Sequence, residues 1–405
     1  MITVQEALQM LKKYPLPIKT HIVSLADADG QILMENLVAD RDFPPYDRVT
    51  MDGIAVHYQT YRKGQRSFPV THTVAAGDPK SSLQGKDTCV EIMTGAILPN
   101  LADTIIRYED VTIDKGMATI QIDIPEGKNV HVRGFDRKAG SCIVSYPRLI
   151  SPAEIAVAAT VGKSTIKVAH IPKILLISTG DELVKIDQIP LSHQIRSSNV
   201  YAIEAALHKM GLQTDKDHLP DDKEIVETRI EQHLKNYPII ILIGGSSKGK
   251  YDYIPPTLEK LEVEKRFYKI KQRPGKPFWF GTRGSDTFVF ALPGNPVSCF
   301  LCIEKYFKCW LKNSLGLIEE AMYSELKEDF MFEPDLAYFL QVKLSNENGK
   351  VVAQPVIGQG SGDLANLVDA DGFLEFQQII SFFTGFSDVD CGTRFVVKIK
   401  FLNLI

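Results

Sequence analysis

Three short loops in the second half of the chain carry the residues best suited to chemistry. Each follows an apolar run that reads as a buried strand: Gly180-Asp181-Glu182-Leu183 after KILLIST, Gly244 to Tyr253 (GGSSKGKYDY) after PIIILI, and Leu292-Pro293-Gly294-Asn295-Pro296-Val297-Ser298 after TFVFA. The second loop nearly matches a Walker phosphate loop, but Tyr251 stands where a Mg²⁺-binding hydroxyl is needed, which argues against a Walker ATPase. What survives is the weaker capacity of a Gly/Ser turn to present backbone N–H groups to an anion. Gly244, Gly245 and Ser247 are therefore candidate ligand-binding positions, together with Pro293, Asn295, Pro296 and Ser298 of the third loop. A fourth segment, Arg273-Pro274-Gly275-Lys276-Pro277, sets two cations around a turn whose backbone the prolines restrict. It reads either as a solvated basic hairpin or as a preorganised clamp for pyrophosphate or an oxyanion. Acids recur beside these loops: Asp181, Glu182, Asp221, Asp222 and Asp252. One acid after a strand is a common helix cap. Several beside a basic turn suit Mg²⁺ holding a phosphate-bearing substrate, because Mg²⁺ prefers carboxylate, water and phosphate oxygens.

The elements that must position these loops follow from the pattern. From Lys173 to about Leu317, KILLIST, PIIILIGG and DTFVFAL alternate with the helical segments NVYAIEAALHKMG and EIVETRIEQHLKN and with a helix after Pro296. Strands alternating with helices predict a doubly wound, mostly parallel α/β sheet with its ligand loops at one sheet edge. No GxGxxG follows a strand, which disfavours a dinucleotide dehydrogenase. Residues 1–42 read as mainly helical with a short strand around Thr20 to Leu25. Residues 43–140 read as β-rich, and 141–168 return to helix at SPAEIAVAATVG, where Ser151, Pro152 and Glu154 mark a helix start. From about residue 325 the pattern is β again, with Phe395, Val397, Ile399 and Phe401 on one face of TRFVVKIKFL. In the β-rich zone, the segments around Asp52 and Thr94 suggest a second ligand-facing surface.

Composition narrows the class. The chain has 405 residues, 44% apolar and 24% charged, enough for several domains. Its 46 basic residues against 50 acidic ones give a formal charge of −4, which argues against a nucleic-acid coat or a polybasic membrane binder. The most apolar stretch, Pro238 to Gly245, is far shorter than the ~20 residues that span a bilayer. The start, MITVQEALQMLKKYPL, lacks the features of a signal peptide, so a cytoplasmic protein is expected. Of the six cysteines, Cys299 and Cys302 form a CxxC, but within an apolar helical run and with no second pair or nearby His; they read as core thiols.

Taken together, these segments resemble the molybdopterin molybdenumtransferase family, to which the carboxy-terminal part of gephyrin belongs. The resemblance spans essentially the whole chain: PPYDRVTMDGIAV, EIMTGAILPNLADTIIRYED, NVHVRGFD, ISTGDEL, RSSN, LPDD, GGSSKGKYDY, RPGKPFWFG and LPGNPVS occur in the family's order. It implies a Mg²⁺-dependent transferase acting on adenylylated molybdopterin and molybdate, releasing AMP and leaving molybdenum on the pterin dithiolene. It also implies a homodimer whose site lies between the sheet domain of one subunit and the β-rich domain of the other, with the molybdopterin adenylyltransferase as a candidate partner. The implied organisation is a discontinuous domain of residues 1–42 plus 141–168, a β-rich insertion over 43–140, a molybdopterin-binding sheet domain over 169–318 and a small β-domain over 325–405. Carried over by motif, Asp52, Thr94 and Asp136 match functional positions of the insertion. Glu182, Asp221, Asp252, Lys276, Pro293 and Pro296 match those of the sheet domain, with Glu182, Asp221 and Asp252 as the implied metal ligands. Ser361 in GQGSGD matches a tail serine associated with the oxyanion end of the site.

The sequence departs from the family pattern at several places. Arg48-Val49 replaces an asparagine-serine pair, Thr50 an alanine, Phe135 a glutamate, Ser246 and Lys248 valines, and Arg273 a lysine. Arg273 keeps the charge and adds bidentate geometry. Two other functions compete with the transferase. One is the adenylyltransferase, which the extra ~250 residues beyond a sheet domain of ~150 residues disfavour. The other is a non-catalytic scaffold, which the intact acidic and PGKP positions disfavour.

Overall fold

The apolar runs of the second half become strands because their branched side chains pack well on a pleated surface with both faces covered. In the computed structural model, Ile174–Thr179 is buried at every residue, as is Ile239–Ile243. The structure describes residues 1–245, 253–318, 322–328, 330, 332 and 334–376, with the backbone of 399–403. Ser246, Ser247, Lys248, Asp252 and residues 393–398 of the expected tail strand lie outside the described residues.

The central sheet has six strands, in the order Thr214–Leu219, Ile174–Thr179, Ile239–Ile243, Thr287–Leu292, Trp279–Arg283 and Glu264–Tyr268. The first four run parallel; the last two add antiparallel at one side. Helices cover both faces. Asn199–His208 and Pro296–Cys302 share one core with Phe280, Phe290 and Trp310. Lys223–Asn236 and Ile254–Lys260 pack on the other with Leu175, Ile177 and Leu242. This is the doubly wound layer expected from the alternation. The first core is dense in aromatics: Phe290 meets Trp310 edge-on at 5.0 Å and Phe280 at 4.9 Å.

Residues 1–42 are not mainly helical. A single α-helix, Val4–Lys13, is capped by Thr3 and buries Val4, Ala7 and Leu11 in the sheet core. Lys19–Ser24 is the expected short strand, and the two-residue strands Ile32–Leu33 and Leu37–Val38 follow. The reason is long-range pairing. Lys19–Ser24 runs antiparallel to Thr165–His170, whose alternating Ile166 and Val168 are buried with Leu33 and Leu37. The 141–168 region holds the expected helix, Pro152–Thr160, started by Ser151 in a capping box with Glu154.

In the β-rich zone a second six-stranded sheet runs in the order Thr104–Arg107, Gly53–Val56, Cys89–Ile92, Ser67–Val74, Met117–Ile120, Val111–Asp114. It has a core on each side, one with Val49, Val90 and Ile105, the other with Ile54, Phe68 and Ile106. The tail forms a third six-stranded sheet that takes in Gln272–Arg273 as an edge strand beside Ala337–Glu347. Cys299 and Cys302 are free, buried thiols, and burial pushes both thiols up, as core packing requires. No helix among the described residues is long and apolar enough to cross a membrane.

Candidate functional site

The parallel strands deliver their loops to one edge. Gly180 N–H donates to Leu219 O at 3.2 Å, and Asp221 N–H donates to the Asp181 carboxylate at 3.1 Å, so the GDEL and PDD segments meet. Asp181, Glu182 and Asp221 are all exposed there. Asp222 plays a different part: its carboxylate accepts from the N–H groups of Glu224 and Ile225 and caps the next helix. On the neighbouring strands, Gly244 N–H donates to Leu292 O at 3.2 Å, and the Gly244 Cα lies 3.7 Å from where a Cβ on Gly294 would sit. A Cβ on Gly244 or Gly245 would lie 2.9 or 3.1 Å from the Thr179 hydroxyl oxygen.

The LPGNP loop is tied on two sides. Asn199, at the start of its helix, donates to Gly294 O at 2.7 Å, while Asn295 donates to Ser361 Oγ at 2.8 Å. Val297 N–H donates to Ser361 O at 3.1 Å. The tail serine therefore sits on the third loop, some 60 residues away in sequence. Pro293 and Ser298 are buried, the latter in the first turn of the helix, whereas Asn295 is exposed. The Arg273-to-Pro277 turn packs against the same helix: a Cβ on Gly275 would lie 3.0 Å from Cys302 Sγ and 3.5 Å from Ser298 O. Arg273 and Lys276 are exposed, and among the described residues neither has a carboxylate partner.

The insertion gathers its own group. Thr94 N–H donates to Asp52 Oδ1 at 2.6 Å. The Thr94 backbone and side chain hold the Asp52 carboxyl below the usual carboxylate range. Gly53 beside it must be glycine, because a Cβ there would fall within 1.8 Å of Ile106 O on the adjacent strand. The strand Arg48–Val49 is the common support: Val49 accepts from Gly95 N–H at 2.9 Å and pairs with Val130, and Arg48 pairs with His131. His131 in turn contacts Asp136 at 3.2 Å, Arg48 at 3.4 Å and the Phe135 ring at 5.1 Å between centroids. Two of the departures, Arg48 and Phe135, thus converge on one histidine. Asp136 also lines a cavity of about 320 Å³ with Phe43, Arg137, Ile143, Val157 and Thr160.

Within one chain the structure brings Asp52, Thr94 and Asp136 to one region. It brings Glu182, Asp221, Gly244, Asn295, Lys276 and Ser361 to loops of the sheet and its attached helix. Among the described residues, no hydrogen bond or ion pair joins the two groups. Sequence reasoning did not single out Thr179, Asn199 or His131 for a role. The RSSN motif did contain Asn199, and its place at a predicted helix start was the available signal.

The donor chemistry fits Mg²⁺ in one specific sense. Among the described residues no three His, Cys, Asp or Glu side chains gather to hold a cation alone. Glu182 folds over Gly180, where a Cβ would displace its carboxylate, and Asp221 stands on the next loop. Two exposed carboxylates suit an ion that takes its remaining ligands from water and phosphate.

A doubly wound sheet with acidic, glycine-rich and basic loops at one edge defines a binder of anionic ligands. Comparison with known proteins makes the class specific. Residues 2–162 match the "MoeA N-terminal region (domain I and II)", 175–313 the "Probable molybdopterin binding domain" and 323–378 the "MoeA C-terminal region (domain IV)". A molybdopterin molybdenumtransferase from Synechocystis is 38% identical over 93% of this chain and 96% of its own length. One from Staphylococcus aureus is 29% identical over 91% and 90%. The crystal structure of a molybdopterin biosynthesis moeA protein from Pyrococcus horikoshii superposes with a TM-score of 0.78 at 28% identity, covering 93% of this chain and 94% of that one. The chain belongs to the molybdopterin molybdenumtransferase family.

Proposed function

We propose that the protein transfers molybdenum from molybdate to adenylylated molybdopterin, releasing AMP, and that it does so with Mg²⁺ as a cytoplasmic homodimer. The observation that carries this reading is the convergence of the acidic loops, the Gly244 loop, the Asn295–Ser361 contact and the exposed cations of the RPGK turn around one sheet edge. Such an edge offers cations and N–H donors to phosphate and molybdate oxygens, and carboxylates to a divalent cation.

In the overall reaction, hydrolysis of the phosphoanhydride consumes one water and yields AMP, the pterin phosphate and two protons. The two thiols of the pterin bond to molybdenum, and one molybdate oxygen leaves as water with the thiol protons. Molybdenum keeps its oxidation state. Bound Mg²⁺ would neutralise phosphate charge that otherwise repels an attacking oxygen. Glu182 and Asp221 would hold it, with Asp252 as the third carboxylate implied by the motif. Lys276 and Arg273 would orient the oxyanion, and Asn295 would fix Ser361 beside it. Asp52, kept ionised by Thr94, and Asp136 would approach from the insertion of a second subunit. The molybdopterin adenylyltransferase is the proposed supplier of the nucleotide-linked pterin.

The test is incubation with adenylylated molybdopterin while AMP is measured. AMP release that requires both Mg²⁺ and molybdate is expected. Turnover of free ATP at a comparable rate without pterin would overturn the proposal.

A further inference from the structure

We propose that Gln272 and Tyr306 are positioning residues that lock the backbone of the RPGK turn from beneath, so that Arg273 and Lys276 meet the oxyanion in a preset geometry. This rests on the reading of that turn as an anion site. Gln272 is 1% exposed and Tyr306 fully buried, and neither belongs to the motifs that carry the family resemblance. The Gln272 side-chain amide donates to Pro274 O at 3.0 Å and to Gly275 O at 3.2 Å, two consecutive carbonyls of the turn. Its oxygen accepts from the Tyr306 hydroxyl.

The orientation of this amide is not free. The two turn carbonyls can only accept, so the NH₂ must face them and the oxygen must face Tyr306. The phenol is then the donor. Burial first, and Cys302 and Glu375 after it, push its ionisation well above the ordinary tyrosine value, so it keeps its proton. Cys302 adds a weak third contact, its Sγ lying 3.8 Å from Gly275 O.

The surroundings leave the turn little room. Gly275 has a φ of +85°, and a Cβ on it would lie 2.7 Å from the Gln272 nitrogen. The Tyr306 ring stacks on Phe278, just past the turn, at 5.0 Å. Tyr306 itself lies in a π-helical turn, Ile303–Phe307, that interrupts the helix following the LPGNP loop. Such turns redirect side chains within a helix and recur at functional sites. Here one helix carries the third ligand loop at its start and the lock on the basic turn within its body. A turn fixed in this way loses little freedom when an anion binds, and the affinity is correspondingly higher.

The lock is tested with Tyr306→Phe, which keeps the ring and its stacking but leaves the amide oxygen without a donor. Ile230→Val, in the core of the opposite sheet face, serves as a comparably destabilised control. Tyr306→Phe is expected to speed backbone hydrogen exchange in the segment 269–278 selectively. It should also raise the half-saturating molybdate concentration about five- to tenfold, the scale of one lost hydrogen bond, with the maximal rate within twofold. In a Lys276→Ala background the same change should add less than twofold, because both act through one contact. Unchanged exchange in the segment overturns the lock. Faster exchange with a molybdate response like that of Ile230→Val, while Lys276→Ala does shift it, overturns the positioning role. If Lys276→Ala is itself without effect on molybdate, the anion reading of the turn falls, and the exchange result alone then keeps or rejects the lock.

Discussion

At the scale of single residues, the site is built from charges whose state is set by near neighbours. Asp52 is the clearest case. Its carboxyl is held low chiefly by the Thr94 backbone N–H and secondly by the Thr94 side chain. Thr94→Ala removes only the second, so the Asp52 titration followed by carboxyl NMR should move up while staying below the ordinary aspartate range. Because a lowered carboxyl favours the charged form, Asp52 stays ionised in both proteins wherever an ordinary aspartate does. Activity attributable to it should be lost only as the pH falls through its own titration, at a higher pH in the variant. Lys276 and Arg273 differ in another way. Lys276→Ala should raise the molybdate requirement tenfold or more, whereas Arg273→Lys, which restores the residue usual in the family, should stay within about threefold. Titration of AMP release against molybdate checks both. A flat response in Lys276→Ala would mean that the turn is only a solvated hairpin.

At the scale of elements, two local devices hold the parts that carry these residues. Gly53 sits where two strands of the insertion approach too closely for a side chain. Gly53→Ala must push the Thr104–Arg107 strand aside, and a loss of about 3 kcal/mol is expected in a denaturant titration. The Ser151 cap of Pro152–Thr160 is gentler. Ser151→Ala should cost about 1 kcal/mol. The cap also carries pH dependence: Ser151, ahead of Arg148, pulls the Glu154 carboxyl down to about 2 from 4.5. The stability it lends is complete above pH about 4.5 and is lost as the pH falls toward about 2, so the variant should show a shallower acid-side loss of Tm. These devices also show what a sequence reveals. Strands such as ILLIST and helices such as VQEALQMLKK are legible because their periods and caps are local. The strands Ile32–Leu33 and Leu37–Val38 are not, because two-residue strands have no period and exist only through partners more than a hundred residues away. The loops of the site were legible as motifs, whereas the contact of Ser361 with Asn295 comes from the fold. Gln272 and Tyr306 were not, since an amide and a phenol in apolar runs look like filler until the fold sets them under the turn.

At the scale of the whole molecule, the question is how two residue groups that share no bond among the described residues make one site. Asp52, Thr94 and Asp136 are supported by Arg48–Val49 and the strand beside it, while Lys276, Asn295 and Ser361 are supported by the sheet and its helix. A homodimer joins them if the insertion of each subunit faces the sheet edge of the other. Twofold symmetry then gives two identical sites, each drawing on both chains. Mixing inactive Asp52→Ala with inactive Glu182→Ala discriminates between a shared and a single-chain site. In a shared arrangement, a mixed dimer holds one site with both lesions and one with neither. Random exchange makes half of the dimers mixed, so activity should recover to about a quarter of the unmutated level. If each site lies within one chain, every site in the mixed dimer keeps one lesion and no activity returns. Exchange of subunits is verified by mass on a pair of differently tagged chains. Recovery without exchange would show that one variant was never inactive, and exchange without recovery would place Asp52 and Glu182 in the site of a single chain.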